Sequence, residues 1–457
     1  MRWLRGLLVA VFSLSTALGA FVVQAQNSQQ QDSMSQSSQM PGMQMSGPDH
    51  SAMNDAGMYL MNRASGTGAN PESAAPAMLM LGAAGWNLMF HGQGYISDVQ
   101  QTGPRGADKF LSSNWFMGMA EHDLGAGAFT FRAMLSLEPA TVSGRMYPEL
   151  FQTGETAFGR PLVDGQHPHD LFMELSFAYA RTLGEKTKLE IYFAPVGDPA
   201  LGPVGFPHRV SAAELPQAPL SHHLQDSTHI ANEVITGALR RPHWGLELSG
   251  FHGAEPNENR WNIDAGKVDS WSARLSWTPS KNWSAQISAG RLTHPEAAEP
   301  GDILRSTASV TYDLPFESGH WATSLIWGRN HKTDTKQDIN SYLLESVFQF
   351  RKSNYLTGRI ELVDKDELFS DDPLFDQQLR ATTGDVFRIG AYTAGYTRDV
   401  KMIPRIRTGL GGNFTLYSMP AVLKPFYGSR PDSFCLFLRF RLSGKNDSAP
   451  EMDHHRM

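Results

Sequence analysis

Two stretches of the chain crowd imidazoles against carboxylates. One reads His167-Pro168-His169-Asp170, and the other holds His222 and His223 followed by Asp226 and His229. Neutral imidazole with a carboxylate nearby is the usual donor set of a Zn or Cu site. His167 and His169, two residues apart, can point the same way on an extended segment. Softer donors gather towards the ends of the chain. Met34, Met40, Met43, Met45, Met53, Met58 and Met61 recur every few residues around His50, and Met452, His454 and His455 lie close to the C-terminus. Thioether and imidazole together suit soft ions, Cu(I) above all. Metal ligation has a plainer rival, in which the internal histidines brace folded loops and the terminal ones are solvated. No histidine pair stands at i, i+4 on an evident helix and no cysteine assists. Catalysis has less to stand on. The sequence carries no nucleophile elbow, no paired histidines on a helix and no phosphate-binding glycine loop, so no enzyme is expected.

Strands and their loops must position these donors. Arg2 and Arg5, an apolar run from Leu7 to about Val23 and a small-residue site at Val23-Gln24-Ala25 predict a signal peptide over 1–25. From 26 to 76 the composition shifts to Ser, Gln, Met, Ala, Asn and Gly without apolar periodicity, which predicts a disordered leader. Beyond it the pattern changes. Residues 171–183 read LFMELSFAYARTL, with Leu171, Met173, Leu175, Phe177 and Tyr179 on one face and Glu174, Ser176, Ala178 and Ala180 on the other. After the polar turn Gly184-Glu185-Lys186, residues 188–194 read KLEIYFA and alternate again. Period-2 alternation on both arms of a tight turn is a β-hairpin, and arms of about ten residues are long enough to cross a bilayer at a tilt.

The pattern repeats about sixteen times between Ala83 and Leu442, including strands near 109–121 and 228–239. Short connections alternate with long ones, notably 139–169 and 197–227, as they do between the two ends of an outer-membrane barrel. The fold expected over 77–442 is all-β: a transmembrane antiparallel β-barrel of about sixteen strands, with long extracellular loops and short periplasmic turns. The polar face of its strands predicts a lumen lined by Glu174, Glu190, Glu247, Arg274, Glu345, Arg359, Glu361, Arg439 and Arg441, a mixture of signs with no single-charge ring. Trp86, Trp115, Trp244, Trp261, Trp283 and Trp321 near strand ends suggest interfacial girdles. A polar tail, 443–457, follows.

Composition agrees with this class. Charged residues are only 19% and aromatics reach 10%. A mean hydropathy of −0.33 rules out a helical membrane protein but suits a barrel with polar lumen and loops. The net charge of −7 argues against a nucleic-acid partner. The single cysteine, Cys435, allows no intrachain disulfide.

Residues 83–442 resemble a Gram-negative outer-membrane β-barrel in the size range of the sixteen-stranded porins. The segments YPELFQTGETAFGRPLVDGQHPHD (147–170) and HHLQDSTHI (222–230) resemble a family of uncharacterised bacterial outer-membrane proteins. The Met-rich leader is similar to that of the B component of bacterial copper-resistance systems, also a barrel. It departs from that pattern in having His50 alone where repeated Met-Asp-His units are usual, and the chain ends on a polar tail where porin-like barrels end on an aromatic. The resemblance implies a location in the bacterial outer membrane with both terminal segments in the periplasm, outer-membrane lipid as a partner, and a homo-oligomer. The expected function is a porin-like channel for small solutes or metal ions, its lumen constricted by the 139–169 and 197–227 loops and linked to copper or another soft metal. The alternative is a non-transporting surface barrel used for binding or adhesion.

Overall fold

The computed structural model describes residues 63–74, 78–297, 301–383, 386–403 and 406–442. The predicted signal peptide, the leader ligands Met34, Met40, Met43, Met45, His50, Met53, Met58 and Met61, and the tail ligands Met452, His454 and His455 lie outside these residues.

Strands dominate the described chain. The first seven are β1 (Leu79–Ala83), β2 (Trp86–Gln101), β3 (Lys109–Leu111), β4 (Asn114–Leu124), β5 (Gly127–Leu135), β6 (Tyr147–Ala157) and β7 (Arg160–Gln166). Next come β8 (Phe172–Leu183), β9 (Thr187–Gly197), β10 (Ala231–Arg241), β11 (Trp244–His252), β12 (Ser270–Trp277) and β13 (Trp283–Leu292). The last seven are β14 (Ile303–Phe316), β15 (Gly319–Lys332), β16 (Asp338–Phe350), β17 (Asn354–Lys365), β18 (Phe387–Ile403), β19 (Ile406–Ser418) and β20 (Asp432–Leu442).

Each long strand pairs antiparallel with the next, and the last returns to the first. β2 pairs with β20 from Gln93↔Arg441 to Gln101↔Ser433 and with β4 from Trp86↔His122 to Gly94↔Asn114. That closure leaves no free edge, the condition for a sheet to span lipid. The sheet counts eighteen strands, of which β1 and β3 are short pieces laid along β2; the other sixteen form the barrel wall. β6 and β7 pair only with each other, as a hairpin in the long connection between β5 and β8.

Two solvents explain the alternation. On β11 the side chains of Leu246 and Leu248 are 44% and 60% exposed, while Glu247 between them is 1% exposed. The same inversion separates Leu344 from Glu345 and Ile287 from Ser288. An apolar outer face on a closed barrel with charges inside is the reverse of a water-soluble domain, and it is the arrangement a bilayer requires.

The structure departs from sequence expectation at five places. The predicted strand 109–121 is two pieces, with β4 beginning at Asn114, and the strand expected from 228 begins at Ala231 after a 3-10 turn at Ser227–His229. Met173, assigned to the outward face with Leu175 and Phe177, is fully buried. The pairing of β8 shifts register between Leu175 and Phe177 against β9 and between Met134 and Leu135 on β5, so the irregularity turns Met173 inward beside Glu174. Trp115 packs against His208, with ring centroids 4.1 Å apart, on the inner side of the wall, and is no girdle residue. Finally, residues 63–74, expected within the disordered leader, are placed and largely buried.

Candidate functional site

The expected lumen-lining residues all meet chain that has entered the barrel. Residues 198–230 run from the end of β9 to the start of β10 and touch one wall strand after another. The backbone N–H of Ala200 donates to Ser249 Oγ and that of Gly202 to Ser288 Oγ, while Arg274 donates to the Gly202 carbonyl at 3.3 Å. Arg209 pairs with Glu345 at 2.5 Å and with Asp226 of its own loop at 2.9 Å, and Arg359 pairs with the other Glu345 oxygen at 3.1 Å. Glu361 accepts from the Ser221 N–H at 2.9 Å and its hydroxyl at 2.8 Å. Glu214 sits between Arg439 and Arg441. Five prolines, from Pro199 to Pro219, stiffen this path by fixing φ and removing donors.

Residues 63–74 enter as well. Arg63 pairs with Glu190 at 2.6 Å, and Arg132 donates to the carbonyls of Ala64 and Gly66. Arg240, itself bridging Glu190 and Glu247, donates to the Thr67 carbonyl, and Arg274 donates to the Thr67 hydroxyl at 2.8 Å. Glu174 accepts from the Gly66 N–H at 3.3 Å and pairs with Arg132 at 3.1 Å. The two inserts touch: Ser65 Oγ donates to Asp198 at 2.8 Å and Asn70 to the His208 carbonyl at 3.0 Å. A cavity of about 890 Å³ remains beside them at the short-turn end, lined in part by Lys188, Arg241 and Glu121.

The two histidine stretches converge at the long-loop end. Ring centroids lie 5.7 Å apart for His167–His223, 5.2 Å for His223–His222, 5.2 Å for His222–His229 and 5.4 Å for His229–His169. A one-turn helix, His222–Gln225, sets Asp226 one turn after His222, whose Nδ1 lies 2.8 Å from Asp226 Oδ1. His229 Nδ1 faces the Asp226 carbonyl at 2.8 Å, and His169 Nδ1 faces Glu138 Oε1 at 3.0 Å. So His167, His169, His222, His223, Asp226 and His229 form one group, although His167 and His169 turn to different partners.

Three carboxylates with no local signal in the sequence join it. Glu155 Oε1 lies 2.8 Å from His167 Nε2, while Glu255 and Glu296 lie 3.6 Å and 4.0 Å from His223 Nδ1. Donor atoms of His167, His222 and His223 fall within 4.8 Å of one another, and so do those of His223, Glu255 and Glu296. His223 Nδ1 and one oxygen each of Glu255 and Glu296 are buried without a hydrogen-bond partner. Buried polar atoms are normally paired, so a cluster of unpaired donors around one imidazole is an arrangement that could hold an ion.

The backbone of the β6–β7 hairpin is bent to make this contact. Phe151, Gly154 and Glu155 have φ of 67°, 116° and 60°. Only glycine fits at 154, because a Cβ there would stand 2.7 Å from the His223 ring. Left-handed non-glycine residues cost energy and persist where surrounding structure over-determines them.

Electrostatics keep the imidazoles available. Burial pushes His222 and His223 down to about 4, and it holds His229 well below its ordinary value. Burial, and then the neighbouring Glu155, push Glu255 up to about 8. Burial also pulls His169 down, yet the Glu138 carboxylate beside it leaves its pKa raised. Near neutral pH His222, His223 and His229 therefore offer neutral ring nitrogens, the form that binds metal.

No family model and no curated protein matches the chain. Among solved structures it is similar to an anion-selective porin from Comamonas acidovorans, at 13% identity over 78% of this chain and 100% of that one, with a TM-score of 0.45. It is also similar to OprB of Pseudomonas putida, at 9% identity over 78% and 94% of the two chains (TM-score 0.49). A third is OmpF of Salmonella typhi, at 8% identity over 80% and 100% (TM-score 0.46). At such identities the likeness is one of fold.

Proposed function

We propose that this chain is an outer-membrane channel for small solutes or metal ions, held closed by the 198–230 loop and the 63–74 segment. The observation that carries this reading is the run of contacts between the loop and every wall strand from β11 to β17. A closed barrel with an apolar outer face belongs in a membrane, and a sixteen-stranded one is wide enough to conduct when empty. The buried His–Glu cluster supports a metal ion as cargo or as the ligand that fixes the loop. Its N/O donors suit a borderline divalent ion such as Zn(II) or Cu(II). The methionines of the leader and tail extend the same theme to copper and other soft metals.

A filled lumen also favours a second reading, a surface barrel that binds through its loops and transports nothing. Planar-bilayer conductance separates the two. The intact protein is expected to be silent or to show rare, small openings, and a variant with 198–230 replaced by a short Gly-Ser link should show large, steady channels. Large channels from the intact protein would refute closure by the loop. Silence from both would favour the surface barrel.

A further inference from the structure

We propose that the inner wall carries a second metal site, a thioether–imidazole site for a soft monovalent cation such as Cu(I) or Ag(I), formed by His91, Met117, Met134 and His208. Three of these stand on one rung of the sheet. His91 on β2 is the register partner of Met117 on β4, which is the register partner of Met134 on β5. Side chains directly opposed on neighbouring strands have Cβ atoms about 5 Å apart, a span that one ion can bridge. The fourth donor comes from the inserted loop. His208 Nε2 lies 2.7 Å from Met134 Sδ, and His91 Nε2 lies 3.0 Å from Met117 Sδ, with the two rings 6.1 Å apart. Trp115 covers His208 from the side.

Apolar packing between wall and loop is the alternative account of these methionines, and it explains part of the picture. Met89, Met119 and Met173 are buried beside them together with Val196 and Ile230. Packing does not explain why two sulfurs each meet a ring nitrogen. A thioether is a weak hydrogen-bond acceptor, and a buried imidazole gains little by pointing at one unless both share a ligand. The donor set is also unlike its surroundings. Several inner-wall rungs pair a carboxylate with a guanidinium, as Glu247 with Arg274 and Glu345 with Arg359, whereas this rung offers only neutral S and N donors until Glu174, opposite Met134, which is engaged by Arg132, Ser176 and Tyr192. Neutral soft donors favour a soft monovalent ion over a hard or divalent one.

The test uses the full-length protein in detergent, loaded with Ag(I) as a redox-stable probe, desalted against a competing chelator and analysed for bound metal. The Met117→Leu/Met134→Leu variant keeps the apolar volume and removes both sulfurs, while the leader and tail methionines remain as a constant background. The expected result is the loss of one retained Ag(I) per chain, with the remaining Ag(I) unchanged. X-ray absorption should show mixed S and N neighbours whose S share falls in the variant. Equal Ag(I) retention by parent and variant would overturn the site. If the double variant fails to show the heat-modifiable gel mobility of a folded barrel, Met134→Leu alone gives the same comparison. Zn(II) binding at the His–Glu cluster is measured in parallel and should not change, so failure of either site is read independently.

Discussion

Opposite chemistries hold the two segments that enter the barrel. The 198–230 loop brings charges of its own, and Arg209 and Glu214 meet wall groups of opposite sign in Glu345, Arg439 and Arg441. Apart from Arg63, which pairs with Glu190, residues 63–74 bring mostly main chain and hydroxyls, and the wall supplies the charges: Arg132 to the carbonyls of Ala64 and Gly66, Arg240 to that of Thr67. Side-chain pairs fix a register, because each charge has one place to go. Carbonyls are generic acceptors that any extended segment offers. The loop is tethered at both ends by wall strands, whereas 63–74 is tethered to the wall through β1 alone. The loop therefore behaves as part of the barrel, and the N-terminal segment as a ligand that the barrel binds from its own chain.

The largest effect should come from deleting each insert in turn. Replacing 198–230 should open most of the cross-section in bilayer recordings, leaving the part that 63–74 fills. Removing residues 26–74 leaves the loop in place and should change single-channel conductance little. It should enlarge conductance further only in the loop-deleted background. If the N-terminal deletion alone gave porin-sized channels, the ranking of the two inserts would be reversed.

Single residues sharpen the same contrast. Glu345 is buried between Arg209 of the loop and Arg359 of the wall. Glu345→Gln leaves two buried guanidiniums facing a neutral amide, and breaking a buried pair in this way typically costs about 3–5 kcal/mol. Limited proteolysis of 198–230 should accelerate strongly, with the heat-modifiable mobility of the barrel retained. Unchanged proteolysis would mean that the prolines and backbone contacts hold the loop without this charge.

A smaller change is expected where the inserts meet. Gly66 has φ of +57°, and a Cβ there would stand 2.2 Å from the Asp198 carbonyl oxygen. Gly66→Ala combines a strained backbone with a clash, and strain alone is worth about 1–3 kcal/mol. Hydrogen exchange should rise across 63–74 and stay low across 198–230. Equal rises in both would show that the two inserts dock as one unit.

Much of the wall was legible in the sequence because lipid and lumen impose a period of two on every strand. Leu246, Glu247 and Leu248 show the rule, and it fails where local geometry departs from it. Met173 was assigned to the wrong face because the irregular pairing of β8 has no local sequence mark. The Met117–Met134 rung was hidden for a different reason: with Phe116 and Leu135 outside, both faces are apolar at this end of β4 and β5 and the alternation disappears there. The histidine cluster was legible as imidazoles and not as a site. Glu155, Glu255 and Glu296 reach it from three separate long connections, and only tertiary folding brings them together. Residues 63–74 gave no signal, since their order is supplied by arginines on distant strands.

The subtlest separation of the two inserts is by pH. Glu214 lies in the loop, where burial works to raise its pKa, but the Arg439 and Arg441 guanidiniums overcome that and hold it below the ordinary carboxylate value. A carboxylate with a depressed folded pKa contributes stability that is complete above its unfolded value and is lost as pH falls through the folded one. The Glu214 contribution to loop docking should therefore be constant from neutral pH down to the usual carboxylate range and weaken only below it. There protonated Glu214 no longer offers a charge to Arg439 and Arg441, and Arg439 keeps only Asp399 of the wall. The carbonyls of Ala64, Gly66 and Thr67 have no proton to gain, so their bonds to Arg132 and Arg240 lack this dependence. Acidification in bilayer recordings should thus produce brief loop openings below about pH 4. Glu214→Gln should show the same openings at neutral pH. Openings of the intact protein that begin near pH 6 would assign the effect to the histidines and remove Glu214 as the group that senses acid.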